Sequence, residues 1–314
     1  MSWNDDVGTV RNFRKVAGLL PYSNIYRCGS PDGLGDMLLE GIHDNIAGDE
    51  CTNNSEDLTL TNSERTLLYD ATLVIDLRMS IERDNDGNEL FRQLAPGGPF
   101  RVVDNGACKL PTKEGLPQRT VLQIDLVGSS FASVHTANKD KANKDEQVSM
   151  DDLKRTLREK GLVALLEALL QYSQDGFCTL LQQVTLHLEE QAGPNSCNHD
   201  KTVKPTVVIH CSHGKDRTGL AAMLMQACMG VSDKTIIADF AESSGRMTEE
   251  EMESVCKLHG VDRNAMNLLS SADPSIMKEI LEWIRNEYGS VLGYLDAIGF
   301  DEEWRQRFRK TQEQ

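Results

Sequence analysis

Three short runs of hydrophobic residues along the chain are typical of buried β-strands. Each run is rich in valine, isoleucine or leucine and is bounded by polar or charged side chains. The runs occupy residues 72–78, 119–128 and 205–211. Two stretches lack such a pattern: residues 1–30 are predicted to be irregular, and residues 84–119 are predicted to form a loop-rich connection.

Helical spacing dominates much of the remaining chain. Leucines recur at intervals of three and four residues from Met150 to Gln191, which predicts two helices broken near residues 173–177. Another helix is predicted from Thr218 to Gly230, because glycine commonly ends a helix, and residues 233–309 are predicted to be mainly helical. The alternation of strands and helices predicts an α/β fold, with a mostly parallel central sheet flanked by helices in a single domain over residues 1–314.

The charge balance narrows the set of partners. The chain has 314 residues, of which 49 are acidic and 33 are basic, and its formal net charge at pH 7 is −16. A strongly acidic surface repels nucleic acid and anionic bilayers, so neither is expected as a partner. The N-terminal stretch lacks the hydrophobic core of a signal peptide, and no hydrophobic run is long enough for stable membrane insertion.

The cysteines indicate a reducing environment. Eight cysteines are scattered without paired spacing, so reduced thiols in a cytoplasmic or nuclear protein are expected. Zinc binding by Cys197, His199, Cys211 and His213 is not expected, because the spacing within each pair is shorter than in structural zinc sites. No dinucleotide-binding glycine motif occurs either, and no cofactor is expected.

One segment carries most of the chemical information in the sequence. Residues 210–219 read His-Cys-Ser-His-Gly-Lys-Asp-Arg-Thr-Gly, between the third predicted strand and a predicted helix. The backbone N–H groups of residues 212–217 can turn inward around a phosphate, and the positive end of the helix dipole supports them. Gly214 permits the backbone conformation that such a loop needs, and Arg217 can hold two phosphate oxygens at once.

The same loop would activate Cys211 as a nucleophile. A helix N-terminus and nearby cations favour the thiolate form, which attacks phosphorus and forms a phosphocysteine intermediate. A buried thiol at the end of a strand is the ordinary role of cysteine, but the hydrophilic residues that follow this one argue for catalysis. A reactive thiol is also prone to oxidation, for which Cys28 and Cys228 are candidate resolving partners.

The loop resembles the active-site loop of the cysteine-dependent phosphatase superfamily, in which a cysteine, five residues and an arginine are followed by serine or threonine. Its Gly-Lys-Asp-Arg-Thr-Gly ending is similar to that of a mostly microbial branch of atypical tyrosine and phosphoinositide phosphatases. Further segments that resemble this branch, in the same order, are residues 12–18, 25–34, 74–78, 236–244 and 288–300. The resemblance implies a protein-tyrosine-phosphatase-like fold, in which residues 138–191 form a helical insertion or lid.

The resemblance also implies roles for individual residues. Cys211 would be the nucleophile and Arg217 the phosphate clamp. Thr218 would hydrogen-bond the cysteine sulfur and assist its departure, and His210 would orient the loop from beneath. Lys215 would add positive charge toward the substrate. The other loop residues expected to line the phosphate site are Ser212, His213, Gly214 and Asp216.

Two aspartates could donate the proton that the leaving oxygen needs. Asp216 lies inside the loop, at the position thought to serve in the branch that the loop resembles, and it is favoured here. Asp125 follows the second predicted strand, near the place where conventional relatives carry the acid on a separate loop. Each also has a structural alternative, since Asp216 could bind loop amides and Asp125 could cap the strand end.

Four further charged residues are candidates for supporting the site. Asp76 and Arg78 lie at the end of the first predicted strand and are expected to form an ion pair or to anchor a loop. Arg14 and Arg27 could either support the phosphate loop from behind or lie at the surface.

Together these features predict an enzyme that hydrolyses phosphomonoesters without a metal, through a phosphocysteine intermediate. The substrates are expected to be phosphotyrosine proteins, phosphoinositides or both, and the sequence does not separate them. The alternative is a catalytically silent module that recognises phosphorylated partners with the same loop. The intact set of Cys211, Arg217 and Thr218 favours the enzyme, because a binding module does not need a thiol nucleophile.

Overall fold

The three predicted strands lie side by side in one sheet. The structure is a computed structural model, and the residues that it describes are 12–19, 24–30, 71–79, 83, 101–103, 120–126, 150–192, 205–244 and 270–313. Within these ranges, only the backbone is described at positions 101–103, 150–159 and 191–192.

The sheet of the described residues contains six strands. They are β1 (Arg14–Lys15), β2 (Ile25–Cys28), β3 (Leu73–Asp76), β4 (Arg101–Val103), β5 (Thr120–Gln123) and β6 (Val207–His210). Their order across the sheet is β1-β2-β6-β3-β5-β4. All neighbouring strands are parallel except β1 and β2, so the predicted α/β architecture with a mostly parallel sheet is confirmed.

Three strands lie where the sequence predicted none. The prediction that residues 1–30 are irregular is wrong for β1 and β2, and the loop predicted over residues 84–119 contains β4. β1 and β4 are edge strands of two and three residues, too short to show a periodic pattern. β2 contains Arg27, whose side chain is only 1 % exposed, and an arginine inside a strand does not look like a core position.

Seven helices complete the described part of the chain. They are α1 (Met150–Tyr172), α2 (Gln174–Ala192), α3 (Asp216–Cys228), α4 (Asp233–Ala241), α5 (Pro274–Tyr288), α6 (Val291–Ala297) and α7 (Glu302–Gln312). The predicted break between two helices near residue 173 is confirmed. A kink within α1, at Gly161 (φ 83°, ψ 177°), was not predicted. α3 begins at Asp216, two residues before the predicted start, so Arg217 lies in its first turn.

The helices from residue 160 to residue 190 pack into the common core. Their buried side chains include Leu166, Leu170, Phe177, Leu181 and Val184. Residues 160–190 of the segment expected as an insertion or lid are therefore part of the packed core, and residues 138–149 lie outside the described residues. Among the described residues, none of the helices is both long and hydrophobic enough to span a membrane.

The C-terminal ends of the parallel strands β2, β6, β3 and β5 lie at the same edge of the sheet. In the register of β2, β6 and β3, His210 lies between Cys28 and Asp76, and Asp76 is paired with Gln123 of β5. The segments that follow these strands therefore emerge side by side, at the edge where α/β proteins usually place their sites. One of them is the loop that begins with Cys211.

Candidate phosphate-binding site

The loop from Cys211 to Asp216 packs directly against the end of β2. Gly214 has a φ of +67°, in the left-handed region. A Cβ atom at this position would lie 2.2 Å from the carbonyl carbon of Cys28 and 2.4 Å from the nitrogen of Gly29. Both atoms belong to the backbone and cannot rotate away, so glycine is needed here for conformation and for space.

Donors outside the loop hold its carbonyl groups. Three consecutive carbonyls accept hydrogen bonds: Ser212 from the Ser30 N–H at 3.0 Å, His213 from the Asn12 side chain at 2.6 Å, and Gly214 from the Arg27 guanidinium at 2.9 Å. In a trans peptide the C=O group and the following N–H group point in opposite directions. The N–H groups that follow these carbonyls are therefore turned away from the donors, as a phosphate-binding loop requires.

The two residues expected to act on the phosphate lie at opposite ends of this loop. Cys211 follows β6 directly and is 2 % exposed. Arg217 is partly exposed in the first turn of α3, and its Nη1 donates to the carbonyl of Leu77 at 3.1 Å. Because Leu77 directly follows β3, this bond places the guanidinium at the same edge of the sheet as the loop.

Thr218 lies in the first turn of α3 with its side chain buried. Among the described residues, its hydroxyl oxygen has no hydrogen-bond partner. The expected bond from this hydroxyl to the sulfur of Cys211 therefore stays a prediction.

Lys215 lies beneath the surface of the site. Its side chain is 2 % exposed, its Nζ lies 2.9 Å from an oxygen of Asp216, and it donates to the carbonyl of Ser271 at 2.7 Å. The ammonium group is thus joined to the segment before α5, in contrast to the expectation that it extends toward the substrate. The Asp216 carboxylate remains partly accessible, with 18 % of its side chain exposed.

Asp76, Arg78 and Ser30 form a buried network beside the loop. Arg78 donates to the Asp76 carboxylate from its backbone N, Nε and Nη2, each at 3.0 Å, and from Nη1 to the Ser30 hydroxyl at 2.8 Å. His210 Nε2 lies 3.9 Å from the same carboxylate. Burial acts to raise the pKa of Asp76, but the charge of His210 and the hydrogen bonds from Arg78 outweigh it and lower the pKa.

Arg14 and Arg27 meet at an aspartate that sequence reasoning missed. Asp239, on α4, accepts from Arg14 Nε at 3.0 Å and from Arg27 Nη1 at 2.6 Å. Arg27 also donates to the carbonyls of Gly214 and Lys215, at 2.9 and 3.3 Å. The sequence signal for Asp239 is its position inside segment 236–244, one of those that carried the resemblance.

Asp125 and Cys228 differ in how close the fold brings them to the loop. Asp125 lies two residues after β5 and is half-buried. β3 separates β5 from β6, which corresponds to a lateral spacing of about 10 Å between these two strands.

Cys228 lies at the far end of the 13-residue helix α3, about 18 Å from its first residue. Burial also raises the pKa of its thiol to about 12, so it is not suited to resolve an oxidised Cys211.

Cys28 is close to the loop, since it is the register partner of His210. No group of three or more histidine, cysteine, aspartate or glutamate side chains that could hold a metal ion occurs among the described residues. Cys197 and His199, considered above for zinc, lie outside them.

Comparison with known proteins indicates the family of the chain. A curated protein of Cupriavidus necator, whose name describes it as a candidate tyrosine-protein phosphatase, is 34 % identical over 99 residues, which are 31 % of this chain and 36 % of that protein. The match thus spans about a third of the relative's length. A profile described as "Tyrosine phosphatase family" matches residues 52–312, well over half of the chain, and this protein therefore belongs to the tyrosine phosphatase family.

Proposed function

We propose that this protein hydrolyses phosphomonoesters by nucleophilic catalysis at Cys211. The observation that carries the proposal is the loop itself, in which three consecutive carbonyls accept hydrogen bonds from outside, so that the amides that follow them point to the opposite side. Membership in the tyrosine phosphatase family supports the same reaction class. Phosphotyrosine proteins are the substrates that the family suggests, and phosphoinositides are the second candidates.

The reaction proceeds in two displacements at phosphorus. The loop amides and Arg217 bind the phosphate dianion, the Cys211 thiolate attacks phosphorus, and the bond from phosphorus to the leaving oxygen breaks as an aspartic acid donates a proton. Water then attacks the phosphocysteine and gives a proton to the aspartate, which restores the acid. The bond from phosphorus to sulfur breaks, inorganic phosphate leaves, and the thiolate is regenerated with help from the Thr218 hydroxyl. The amides and the guanidinium stabilise the equatorial charge in both transition states.

Asp216 is the favoured acid, and Asp125 is the alternative. Asp216 lies in the first turn of the helix that follows the loop, and the Lys215 ammonium lies 2.9 Å from its carboxylate. The Asp216 side chain is also 18 % exposed, so its carboxylate is accessible at the end of the loop. Asp125 would have to act across the edge of the sheet from the end of β5.

Replacement of the nucleophile tests the proposed reaction. Cys211→Ser should abolish hydrolysis of a small aryl phosphate in the presence of a chelator, because a serine hydroxyl is not ionised at neutral pH. The variant should still bind tungstate, a phosphate-like oxyanion, because the amides and Arg217 remain. Hydrolysis that survives the substitution would refute the mechanism, and tight tungstate binding by an inactive wild-type protein would favour the catalytically silent binding module.

Leaving groups of different basicity test the choice of acid. Asp216→Asn should lower kcat about 100-fold or more for an alkyl phosphate and much less for p-nitrophenyl phosphate, because a good leaving group needs little protonation. Asp125→Asn is the matched variant and should show no such dependence. If Asp125→Asn shows the dependence and Asp216→Asn does not, the assignment is reversed.

A side-by-side assay separates the two substrate classes. Phosphotyrosine peptides and short-chain phosphoinositides should be compared by kcat/KM under one set of conditions. We expect turnover of the peptides, as the family suggests; a preference for the lipids of about tenfold or more, equivalent to about 1.4 kcal/mol of transition-state binding, would reverse this order.

A further inference from the structure

A buried ionic cluster lies behind the phosphate loop. Asp239 is 2 % exposed and contacts both arginines, while the Arg27 side chain is 1 % exposed. Arg27 is fully removed from water, which lowers the pKa of its guanidinium, and the charge of Asp239 opposes this effect. A buried guanidinium without a counter-charge is strongly unfavourable. Asp239 therefore supplies the counter-charge for the buried Arg27 guanidinium.

Two series of hydrogen bonds connect Asp239 to the loop. One passes through Arg27, which donates to Asp239 at 2.6 Å and to the carbonyl of Gly214 at 2.9 Å. The other passes through Arg14, which donates to Asp239 at 3.0 Å and to the backbone carbonyl of Asn12 at 3.3 Å. The Asn12 side chain then donates to the carbonyl of His213 at 2.6 Å. The two series thus end on consecutive carbonyls of the loop.

The backbone of Asn12 suits this task. Its φ of +56° makes it the one described residue other than glycine in the left-handed region, which asparagine tolerates better than most residues. Asn12 lies two residues before β1, whose Arg14 is the register partner of Arg27. The two arginines and the asparagine are therefore held together by one antiparallel strand pair, and they precede the part of the chain that matches the family profile.

We propose that Asp239 is a positioning residue for the phosphate loop, which acts through Arg27 on Gly214 and through Arg14 and Asn12 on His213. By fixing the two carbonyls it fixes the directions of the amides that follow them. The inference rests on the proposed function, because these amides are taken to bind the substrate phosphate. Asp239 itself faces away from the substrate and takes no part in proton transfer.

The test compares two aspartates of the same helix. Asp239→Asn removes the negative charge that faces both arginines. Asp233→Asn is the control, since Asp233 accepts two hydrogen bonds from Arg285 at 2.8 and 2.6 Å on the surface. Three quantities are measured for each variant. Calorimetry gives the tungstate affinity, and an assay with an aryl phosphate gives kcat and KM. Mass spectrometry follows the pH dependence of Cys211 alkylation. Unfolding curves show that each variant is folded at the assay temperature.

We expect Asp239→Asn to weaken tungstate binding and lower kcat by roughly 10- to 100-fold, because displacement of a binding group by about 1 Å has effects of this size. The pH profile of Cys211 alkylation should also shift, which a merely structural role would not cause in a folded variant. Asp233→Asn should match the wild type in all three measurements. Unchanged tungstate affinity and an unchanged alkylation profile in folded Asp239→Asn would overturn the inference.

A second variant decides the matter if Asp239→Asn does not fold. Asn12→Gly keeps the left-handed backbone and removes the donor to His213, together with the amide oxygen that accepts from Arg14 Nη1 at 3.5 Å. Weaker tungstate binding by this variant supports the inference, and unchanged binding contradicts it. The proposed function fails separately: if the wild type binds tungstate but never turns over a phosphate ester, the function is refuted while the positioning role can still be measured. If the wild type is active and both variants resemble it, only the positioning role is refuted.

Discussion

At the scale of single residues, the phosphate loop depends on how closely it approaches β2. Gly214 carries two constraints at once, a positive φ and a backbone neighbour at 2.2 Å. Gly230 carries only the first, since its φ is +70° and nothing lies within 4 Å of an added Cβ atom. Alanine substitutions at these two glycines therefore distinguish the cost of backbone strain from the cost of a steric clash.

We expect Gly230→Ala to lower the free energy of unfolding by about 1–2 kcal/mol, the usual cost of a left-handed alanine. Gly214→Ala should cost more, because the loop must also move away from Cys28, and it should weaken tungstate binding by about 100-fold. Denaturant unfolding and calorimetry measure the two effects. Equal losses of stability, with tungstate affinity retained in Gly214→Ala, would show that the close approach is not needed.

At the scale of elements, a buried histidine joins α2 to the start of two strands. His187 Nε2 lies 2.9 Å from the Thr72 hydroxyl, and this hydroxyl donates to the carbonyl of Thr206 at 3.1 Å. Burial lowers the pKa of His187 from 6.5 to about 4. The hydroxyl already uses its hydrogen toward Thr206, so the neutral imidazole acts as the donor to it.

This histidine should make stability depend on pH. Between pH 6.5 and pH 4 the unfolded chain binds a proton at His187 and the folded protein does not. The contribution of His187 to the free energy of unfolding is therefore fully present above pH 6.5 and is lost as the pH falls toward 4. The maximum effect is about 3 kcal/mol. His187→Gln keeps a hydrogen-bonding group without the titration, and its unfolding free energy should fall less steeply over this range. Parallel slopes for the two proteins would contradict the assignment.

At the scale of the whole molecule, the net charge of −16 opposes the approach of an anionic substrate. The screening length falls from about 30 Å at 10 mM salt to about 8 Å at 150 mM. The long-range repulsion therefore weakens with salt, while the bonds inside the loop are screened much less. This salt dependence is the reverse of that expected for an enzyme whose overall electrostatic field attracts its substrate.

We therefore expect kcat/KM for a dianionic aryl phosphate to rise by about twofold or more between these salt concentrations. Alkylation of Cys211 by neutral iodoacetamide is the control, and its rate should change little. A kcat/KM that falls steadily with salt would show that a local positive field dominates the encounter.

The sequence by itself determined the features that depend on neighbouring residues. Hydrophobic runs predicted β3, β5 and β6, leucine spacing predicted α1 and α2, and the residues around Cys211 predicted a phosphate-binding loop. In each case the pattern reflects a local requirement, such as burial of one face or a glycine at a sharp turn.

Only the tertiary structure decided which charges are buried and which groups they contact. The sequence left Arg27 either behind the loop or at the surface, and the counter-charge that holds it behind the loop, Asp239, lies 212 positions later in the chain. Lys215 was expected to face the substrate, but its ammonium donates a hydrogen bond to the carbonyl of Ser271. The stability of a buried charge depends on a partner that the fold brings close, and no spacing along the chain encodes that partner. The position of the loop and its candidate nucleophile could therefore be predicted from neighbouring residues, whereas the contacts of Asp239 with Arg14 and Arg27 could be found only in three dimensions.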